Sequence, residues 1–221
     1  MNAVTVLPAE VLLFDMDGTL VDSSEAVEAA WRRFASRTGL DAEAILAVSH
    51  GRPTVEVIEE FAPAGMDVAS ETARIEAEEI DRTEGIAEIA GAGVLLRSLD
   101  PARWAVVTSA TGELARRRLA TAGLPQPKVL VSADDITQGK PHPEGYLKAA
   151  EALGAAPGGA VVFEDAEAGL LAGRASGAAT VVVGGHDGAA AEGLPRVPDL
   201  REVRVVRSGP GLEVRLPTAA R

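Results

Sequence analysis

Two carboxylates placed one residue apart are the first candidates for chemistry in this sequence. Asp15 and Asp17 directly follow the apolar run Val11–Phe14, and Gly18 comes next. Such a run is typical of a strand buried on both faces, and side chains at positions i and i+2 of a strand point to the same side. The two carboxylates are therefore expected to face one common site. Because close negative charges repel, the pair indicates either an oxygen-ligated cation or a nucleophile with an acid/base partner.

Polar side chains also end two later apolar runs. Thr108 and Ser109 follow one run, Glu164 and Asp165 follow another, and Lys140 lies in a Gly-Lys-Pro loop between them. Carboxylates of this number suit magnesium, and a lysine, hydroxyls and amides at a helix start would add a phosphate-binding site. In such a site one aspartate can attack phosphorus to form an aspartyl phosphate, and a second carboxylate can transfer the proton.

The elements that must position these residues alternate along the chain. From residue 85 onward, apolar strand-like runs alternate with helical patterns, which predicts a parallel sheet with helices on both faces. Ligands bind at the carboxyl ends of the strands in such sheets, so the polar residues should meet at one edge. The predicted fold is a doubly wound, Rossmann-like α/β core of residues 1–20 and 85–221. A small α-helical cap domain, residues 21–84, is inserted after the first strand, and the tail 201–216 should form a small β element.

Composition narrows the function classes. The 221 residues carry a formal net charge of −12, which argues against a broad surface for nucleic acid or anionic membranes. The sequence contains no cysteine, so disulfides, thiolate nucleophiles and cysteine-ligated metals are excluded. No apolar run approaches membrane-spanning length and the N-terminus lacks a signal-peptide pattern. A soluble, cytoplasmic protein that acts as a monomer on a small phosphorylated metabolite is expected.

The ordered motifs resemble those of the haloacid dehalogenase superfamily of phosphatases. The resemblance covers nearly the whole chain and rests on four motifs in a fixed order: Asp15-x-Asp17-Gly18-Thr19-Leu20, Thr108-Ser109, Lys140-Pro141 and Phe163-Glu164-Asp165. The helical insert resembles the small α-helical cap of that superfamily. A narrower likeness, to the glycerol-3-phosphate and 2-deoxyglucose-6-phosphate phosphatases, rests on Ser49-His50-Gly51-Arg52, Phe61-Ala62-Pro63 and the run from Gln138 to Glu144.

The resemblance implies a role for each matching residue. Asp15 would be the nucleophile and a magnesium ligand, and Asp17 would be the general acid/base, with its backbone carbonyl on the metal. Thr108 would bind the phosphoryl oxygens with Ser109 nearby, and Lys140 would neutralise the phosphoaspartate. Asp165 would complete the Mg²⁺ site, with Glu164 beside it.

Residues of the cap segment are harder to assign. Arg52 and His50 lie in a loop that could overhang the site, where an arginine could bind substrate oxygens. The acidic stretch Glu76–Glu84 is expected to be a solvated helix face. Asp22 and Ser23 are expected to begin the cap and to take no part in the site.

Several functions share these motifs. The resemblance favours a magnesium-dependent phosphatase of a small sugar or polyol phosphate. A phosphoglucomutase-like phosphoryl transfer or a phosphoglycolate phosphatase would use the same core residues. A dehalogenase is disfavoured because such relatives generally lack an equivalent of Asp17. A regulatory phosphoaspartate switch is disfavoured because receiver domains are much shorter and have no cap.

Overall fold

The structure, a computed structural model, describes residues 4–49 and 51–217. Within these residues the strands, numbered in chain order, are β1 Val4–Ala9, β2 Val11–Phe14, β3 Val21–Asp22, β4 Ala87–Glu88, β5 Trp104–Val107, β6 Val129–Val131, β7 Ala160–Glu164, β8 Ala179–Val183, β9 Arg196–Val197, β10 Arg204–Ser208 and β11 Gly211–Pro217. The helices are α1 Ser24–Thr38, α2 Ala42–Ser49, α3 Thr54–Phe61, α4 Val68–Asp81, α5 Ala92–Ser98, α6 Gly112–Thr121, α7 Glu144–Ala152 and α8 Glu167–Ala175. No helix in this part of the chain combines the length and the apolar character needed to cross a membrane.

The central sheet has six strands in the order β6-β5-β2-β7-β8-β9, and every neighbouring pair is parallel. The predicted parallel α/β sheet is therefore confirmed. β2 lies between β5 and β7, with Phe14 beside Val106 on one side and Phe163 on the other. This strand order places the carboxyl ends of the three strands that carry the candidate residues next to one another.

Both faces of the sheet are covered, which explains why its strands read as continuous apolar runs. Leu12 and Phe14 point into one hydrophobic cluster, whereas Leu13 points into a second cluster on the other face. The rings of Phe14 and Phe163 stack with centroids 4.9 Å apart, and both side chains are fully buried. Burial on two faces fixes the register of β2 and therefore the direction of the side chains that follow it.

Four helices of the cap segment, α1 to α4, enclose a hydrophobic cluster of their own. Its largest members are Trp31, Phe34, Ile45, Ile58 and Ile75. The chain enters and leaves this segment through β3 and β4, which pair antiparallel with Val21 opposite Glu88. The sequence pattern did not predict this ladder, because two residues per strand are too few to show a period.

The tail forms the predicted β element and takes a partner from the other end of the chain. β10 and β11 pair antiparallel, and β1 pairs antiparallel with β11, with Val4 opposite Pro217. β1 was not predicted. Its side chains alternate between exposed and half-buried, so its apolar content is too scattered to mark a strand without its partner.

Helix α8 packs closely against the end of β7 through Gly169. A Cβ at that position would lie 1.6 Å from Oε1 of Glu164. The Glu164 carboxylate cannot simply move aside, because it is buried and accepts hydrogen bonds from Lys140 and Tyr146. The glycine therefore allows helix and carboxylate to occupy adjacent space.

Gly169→Ala should consequently destabilise the protein, by about 1–3 kcal/mol as expected for an overpacked interior. Replacing a helical glycine by alanine usually raises the free energy of unfolding, so the expected change has the opposite sign. Urea unfolding at neutral pH measures the difference. Gly158→Ala is the matched control, because a Cβ there has nothing within 4 Å. A stabilising Gly169→Ala would contradict this account of the packing.

Candidate active site

The carboxyl ends of β2 and β5 lead into a cleft of about 400 Å³ between the core and the cap segment. Asp15, Asp17, Thr108 and Ser109 all line this cleft. Glu164 ends β7 and Asp165 follows it, while Lys140 reaches the same place from the loop before α7. The residues that the sequence singles out at three strand ends are thus brought together by the strand order.

Lys140 is the central cation of the site. Its Nζ atom contacts Oδ1 of Asp15, lies 2.6 Å from Oε1 of Glu164, and donates to the Val107 carbonyl at 3.2 Å. Burial alone would lower the pKa of Lys140, but the adjacent Asp15 and Glu164 outweigh burial and raise that pKa. The amine therefore remains protonated and can neutralise negative charge next to Asp15.

Asp15 lies among more negative than positive charge. Burial raises the pKa of Asp15 well above its ordinary value, and Glu164 and Asp165 raise it further, whereas Lys140 opposes them. One oxygen from each of these three carboxylates lies within 4.8 Å of the others. A second cation at this point would favour the ionised form of Asp15, which is the form able to act as a nucleophile.

The donor set fits an oxygen-ligated divalent ion. Asp15 and Asp165 offer carboxylate oxygens, which Mg²⁺ prefers. Gly18 makes room for this arrangement, because its φ of 83° is unfavourable for other residues and a Cβ there would lie 2.0 Å from Oδ2 of Asp165. Thr19 also orients Asp165, since its hydroxyl donates to Oδ1 at 3.0 Å.

Glu164 is already engaged at both of its oxygens. Oε1 accepts from Lys140 and from the Tyr146 hydroxyl at 2.9 Å, and Oε2 accepts from the backbone amides of Asp165 and Ala166. Four hydrogen bonds fill the acceptor sites of a carboxylate. This arrangement favours Glu164 as the residue that holds Lys140 in place, beside the candidate metal ligands.

The hydroxyl groups of Thr108 and Ser109 make different hydrogen bonds. Thr108 is buried at the end of β5, and its Oγ1 accepts from the Ala110 amide at 3.1 Å, which leaves its hydroxyl proton for a phosphoryl oxygen. Ser109 donates its hydroxyl to the Gly51 carbonyl at 3.1 Å. Ser109 therefore links the core to the cap in this arrangement.

Asp17 has two partners. Its Oδ1 accepts from the Ser23 hydroxyl at 2.6 Å, and its Oδ2 accepts from Arg118 Nη1 at 2.8 Å. The expectation that Ser23 takes no part in the site is therefore wrong. Ser23 comes into contact because a turn at residues 18–20, closed by a hydrogen bond from the Gly18 amide to the Val21 carbonyl, brings the chain back beside Asp17.

Arg118 was missed by sequence reasoning. It sits in a run of three arginines, Arg116 to Arg118, that suggests an exposed helix face. The spacing of the helix could have indicated its burial. Arg118 follows Leu114 by four residues and therefore lies on the same buried face of α6, next to Leu119. Arg118 is only 4% exposed.

The expectation that the whole acidic stretch Glu76–Glu84 is solvated is also wrong. Glu79 is buried on α4, and its Oε1 accepts from Arg118 Nη2 at 2.6 Å. The contact arises because α4 packs against α6 of the core. Spacing within α4 alone could not show that a core arginine would face this position.

The two candidate substrate residues of the cap remain predictions. His50 lies outside the described residues. Arg52 lines the cleft, but its Nη1 atom pairs with Oε2 of Glu60 at 2.8 Å within the cap. In this structure the Arg52 guanidinium is thus held by another cap residue.

Comparison with known proteins identifies a family and named relatives for this chain. Residues 12–183 match the haloacid dehalogenase-like hydrolase family. Hexitol phosphatase A from Escherichia coli is 46% identical over 175 residues, covering 77% of this chain and 81% of that protein. Glycerol-1-phosphate phosphohydrolase 2 from Saccharomyces cerevisiae is 40% identical over 185 residues, covering 77% of this chain and 73% of that protein.

Among solved structures, a hydrolase from Pseudomonas syringae superposes with a TM-score of 0.76 at 27% identity, covering 87% of this chain and 95% of that one. The motifs, the sheet and these similarities agree on one assignment. The chain belongs to the haloacid dehalogenase-like hydrolase family, as its ordered motifs predict.

Proposed function

We propose that the protein is a magnesium-dependent phosphatase that hydrolyses a small sugar or polyol phosphate through an aspartyl phosphate on Asp15. The observation that carries the proposal is the buried contact of Asp15 with Lys140, beside Asp165 and at the floor of a cleft. A buried carboxylate and a fixed cation therefore lie side by side, which supports Asp15 as the nucleophile. Relatives named as phosphatases of hexitol and glycerol phosphates support the substrate class.

The proposed reaction has two displacements at phosphorus. An oxygen of Asp15 forms a bond to phosphorus while the bond to the substrate's alcohol oxygen breaks, and Asp17 gives its proton to that oxygen. Water then attacks the phosphorus of the aspartyl phosphate, and Asp17 takes a proton from this water. The bond to Asp15 breaks, inorganic phosphate leaves, and both carboxylates return to their starting state.

The surroundings of Asp17 suit this proton transfer. Arg118 occupies Oδ2, so proton exchange is confined to Oδ1, where Ser23 is the neighbour. The Ser23 hydroxyl can donate to Oδ1 in both forms of Asp17, so it can stay in contact while the proton on that oxygen is directed to the leaving group. Lys140 and the hydroxyl of Thr108 would bind the transferring phosphoryl oxygens.

Asp15 and Asp165 would hold the magnesium ion, with the backbone carbonyl of Asp17 as a further ligand and Glu164 beside them. When bound, the ion would offset the negative charge of the phosphoryl group and of the carboxylates. The chain itself supplies the nucleophile, the acid/base and the cation Lys140.

Asp15→Asn should lower kcat by more than about 10³-fold, because an amide cannot form the acyl phosphate. Phosphate release from glycerol phosphate and from 4-nitrophenyl phosphate measures the loss. Asp100→Asn is the control, since Asp100 is exposed and lies before β5, at the opposite end of the strands. Full activity of Asp15→Asn would refute its role as nucleophile.

Addition of MgCl₂ should raise the melting temperature, since an ion bound only by the folded protein stabilises it by about 2.7 kcal/mol at 100 times its Kd. Asp165→Asn should greatly reduce this shift, whereas Asp100→Asn should keep it. Scanning fluorimetry with and without EDTA provides the measurement. Unchanged melting and unchanged activity in EDTA would contradict the metal site.

The charges of the cleft favour a substrate with a neutral tail. Its three lining arginines are already paired with carboxylates: Arg32 with Glu28 and Glu43, Arg52 with Glu60, and Arg118 with Asp17 and Glu79. Hydroxyl groups can donate to such carboxylates, whereas a second anionic group on the substrate would be repelled.

Glycerol phosphate or a hexitol phosphate should therefore exceed phosphoglycolate in kcat/KM by about tenfold or more, equivalent to about 1.4 kcal/mol. Phosphate release across a panel of sugar, polyol and glycolate phosphates gives the ranking. Phosphoglycolate at the top would overturn the substrate class. Conversion of β-glucose 1-phosphate to glucose 6-phosphate without free phosphate would indicate a mutase instead.

A further inference from the structure

We propose that Arg118 couples the cap to the acid/base of the core. Arg118 positions Asp17, and Glu79 of the cap binds Arg118 when the cap is closed, a contact that we call the latch. The inference rests on the proposed function, because it assigns Arg118 a role in the same proton transfer. It adds a positioning residue and a cap contact to the motifs that the sequence makes evident.

The geometry of the guanidinium carries the proposal. Nη1 lies 2.8 Å from Oδ2 of Asp17, and Nη2 lies 2.6 Å from Oε1 of Glu79. Because different nitrogens are used, Arg118 binds both carboxylates at once. The Arg118 side chain is buried, so water screens these contacts only weakly. Its planar guanidinium holds two nitrogens in a fixed geometry and therefore sets the orientation of both carboxylates.

The two carboxylates belong to different parts of the molecule. Asp17 follows β2 and Arg118 lies on α6, so their contact is internal to the core. Glu79 lies on α4 of the cap segment, which joins the core through the short ladder of β3 and β4. A rotation of the cap about this ladder would separate Glu79 from Arg118 while Arg118 stayed on Asp17.

The Glu79 contact is suited to a reversible latch. Burial raises the pKa of Glu79 to about 7, although Arg118 acts in the opposite direction. Both side chains are buried, so the cost of removing the two charges from water offsets much of their attraction. A pair of this kind can specify a closed position of the cap without holding the cap permanently shut.

The consequence for chemistry concerns the leaving group. With Oδ2 bound by Arg118, Asp17 can present only Oδ1 to the departing oxygen. An alkyl phosphate needs this proton because an alkoxide is a poor leaving group, whereas 4-nitrophenolate leaves readily without one. A misplaced Asp17 should therefore slow the first step, transfer of the phosphoryl group to Asp15, selectively for alkyl phosphates.

Arg118→Lys tests the positioning role, because lysine keeps the positive charge but loses the fork that binds both carboxylates. The rate of the first step, transfer of the phosphoryl group to Asp15 at saturating substrate, should fall about tenfold or more for glycerol phosphate and change less than about threefold for 4-nitrophenyl phosphate. Rapid-quench measurement of alcohol release separates this step from hydrolysis of the aspartyl phosphate, which both substrates share. Arg116→Lys is the matched control on the same helix, since Arg116 is exposed, and it should leave both rates unchanged.

Glu79→Gln tests the latch separately, because it removes the charge and nearly keeps the shape. KM should rise for both substrates to a similar extent, while the ratio of their kcat values stays the same. Glu84→Gln, an exposed position of the same acidic stretch, is the control. In the double variant with Arg118→Lys, KM should rise no more than in the worse single variant, as expected for residues that act through one contact.

Two results would overturn the proposal. An equal loss in the rate of the first step for both substrates in Arg118→Lys, with a lowered melting temperature, would mean that Arg118 is merely structural. A raised KM for glycerol phosphate with an unchanged rate of the first step would mean that Arg118 binds substrate, for example through Nε, which has no hydrogen-bond partner among the described residues. Failure of the phosphatase proposal itself is separate, because it would appear as full activity in Asp15→Asn.

Discussion

Repulsion among the carboxylates at one edge of the sheet is the constraint on which the rest of the site depends. Asp15, Glu164 and Asp165 lie close together in a largely buried place, where like charges are costly, and Asp17 lines the same cleft as Asp15. Two buried cations offset this negative charge, because Lys140 contacts Asp15 and Arg118 contacts Asp17. This division separates the two aspartates by environment: one is held next to the proposed metal site, and the other is held by Arg118 and Ser23.

The fold supplies this arrangement through strand order and close backbone approaches. With β2 between β5 and β7, three chain segments deliver their polar ends to neighbouring positions. Gly18 and Gly169 leave space for the carboxylates of Asp165 and Glu164, which no larger side chain would permit. Glu164 in turn uses both oxygens to hold Lys140 and the start of the following loop. The site is thus supported by the core packing beneath it.

The cap contributes in a different manner. Its own hydrophobic cluster makes α1 to α4 a packed unit, joined to the core by a two-residue ladder. Its contacts with this edge of the core include two polar ones: Glu79 with Arg118, and the Gly51 carbonyl with Ser109. Polar contacts of this kind exchange readily with water, unlike the apolar packing inside each unit. A cleft that closes over substrate and reopens for release fits such a boundary.

The sequence by itself determined the sheet, the family and the location of the core motifs, because these follow from local features. Buried strands read as apolar runs, and the carboxyl ends of parallel strands share one edge, so Asp15, Thr108, Lys140 and Asp165 could be placed together. Only the tertiary structure decided the partners of Asp17. Ser23 reaches it through a turn, and Arg118 and Glu79 meet across two helices that are distant in sequence. A periodic pattern reports which face of a helix is buried, but it does not reveal which charged residue on another element will face it. The strand β1 was missed for the same reason, since its order depends on pairing with β11 at the other end of the chain.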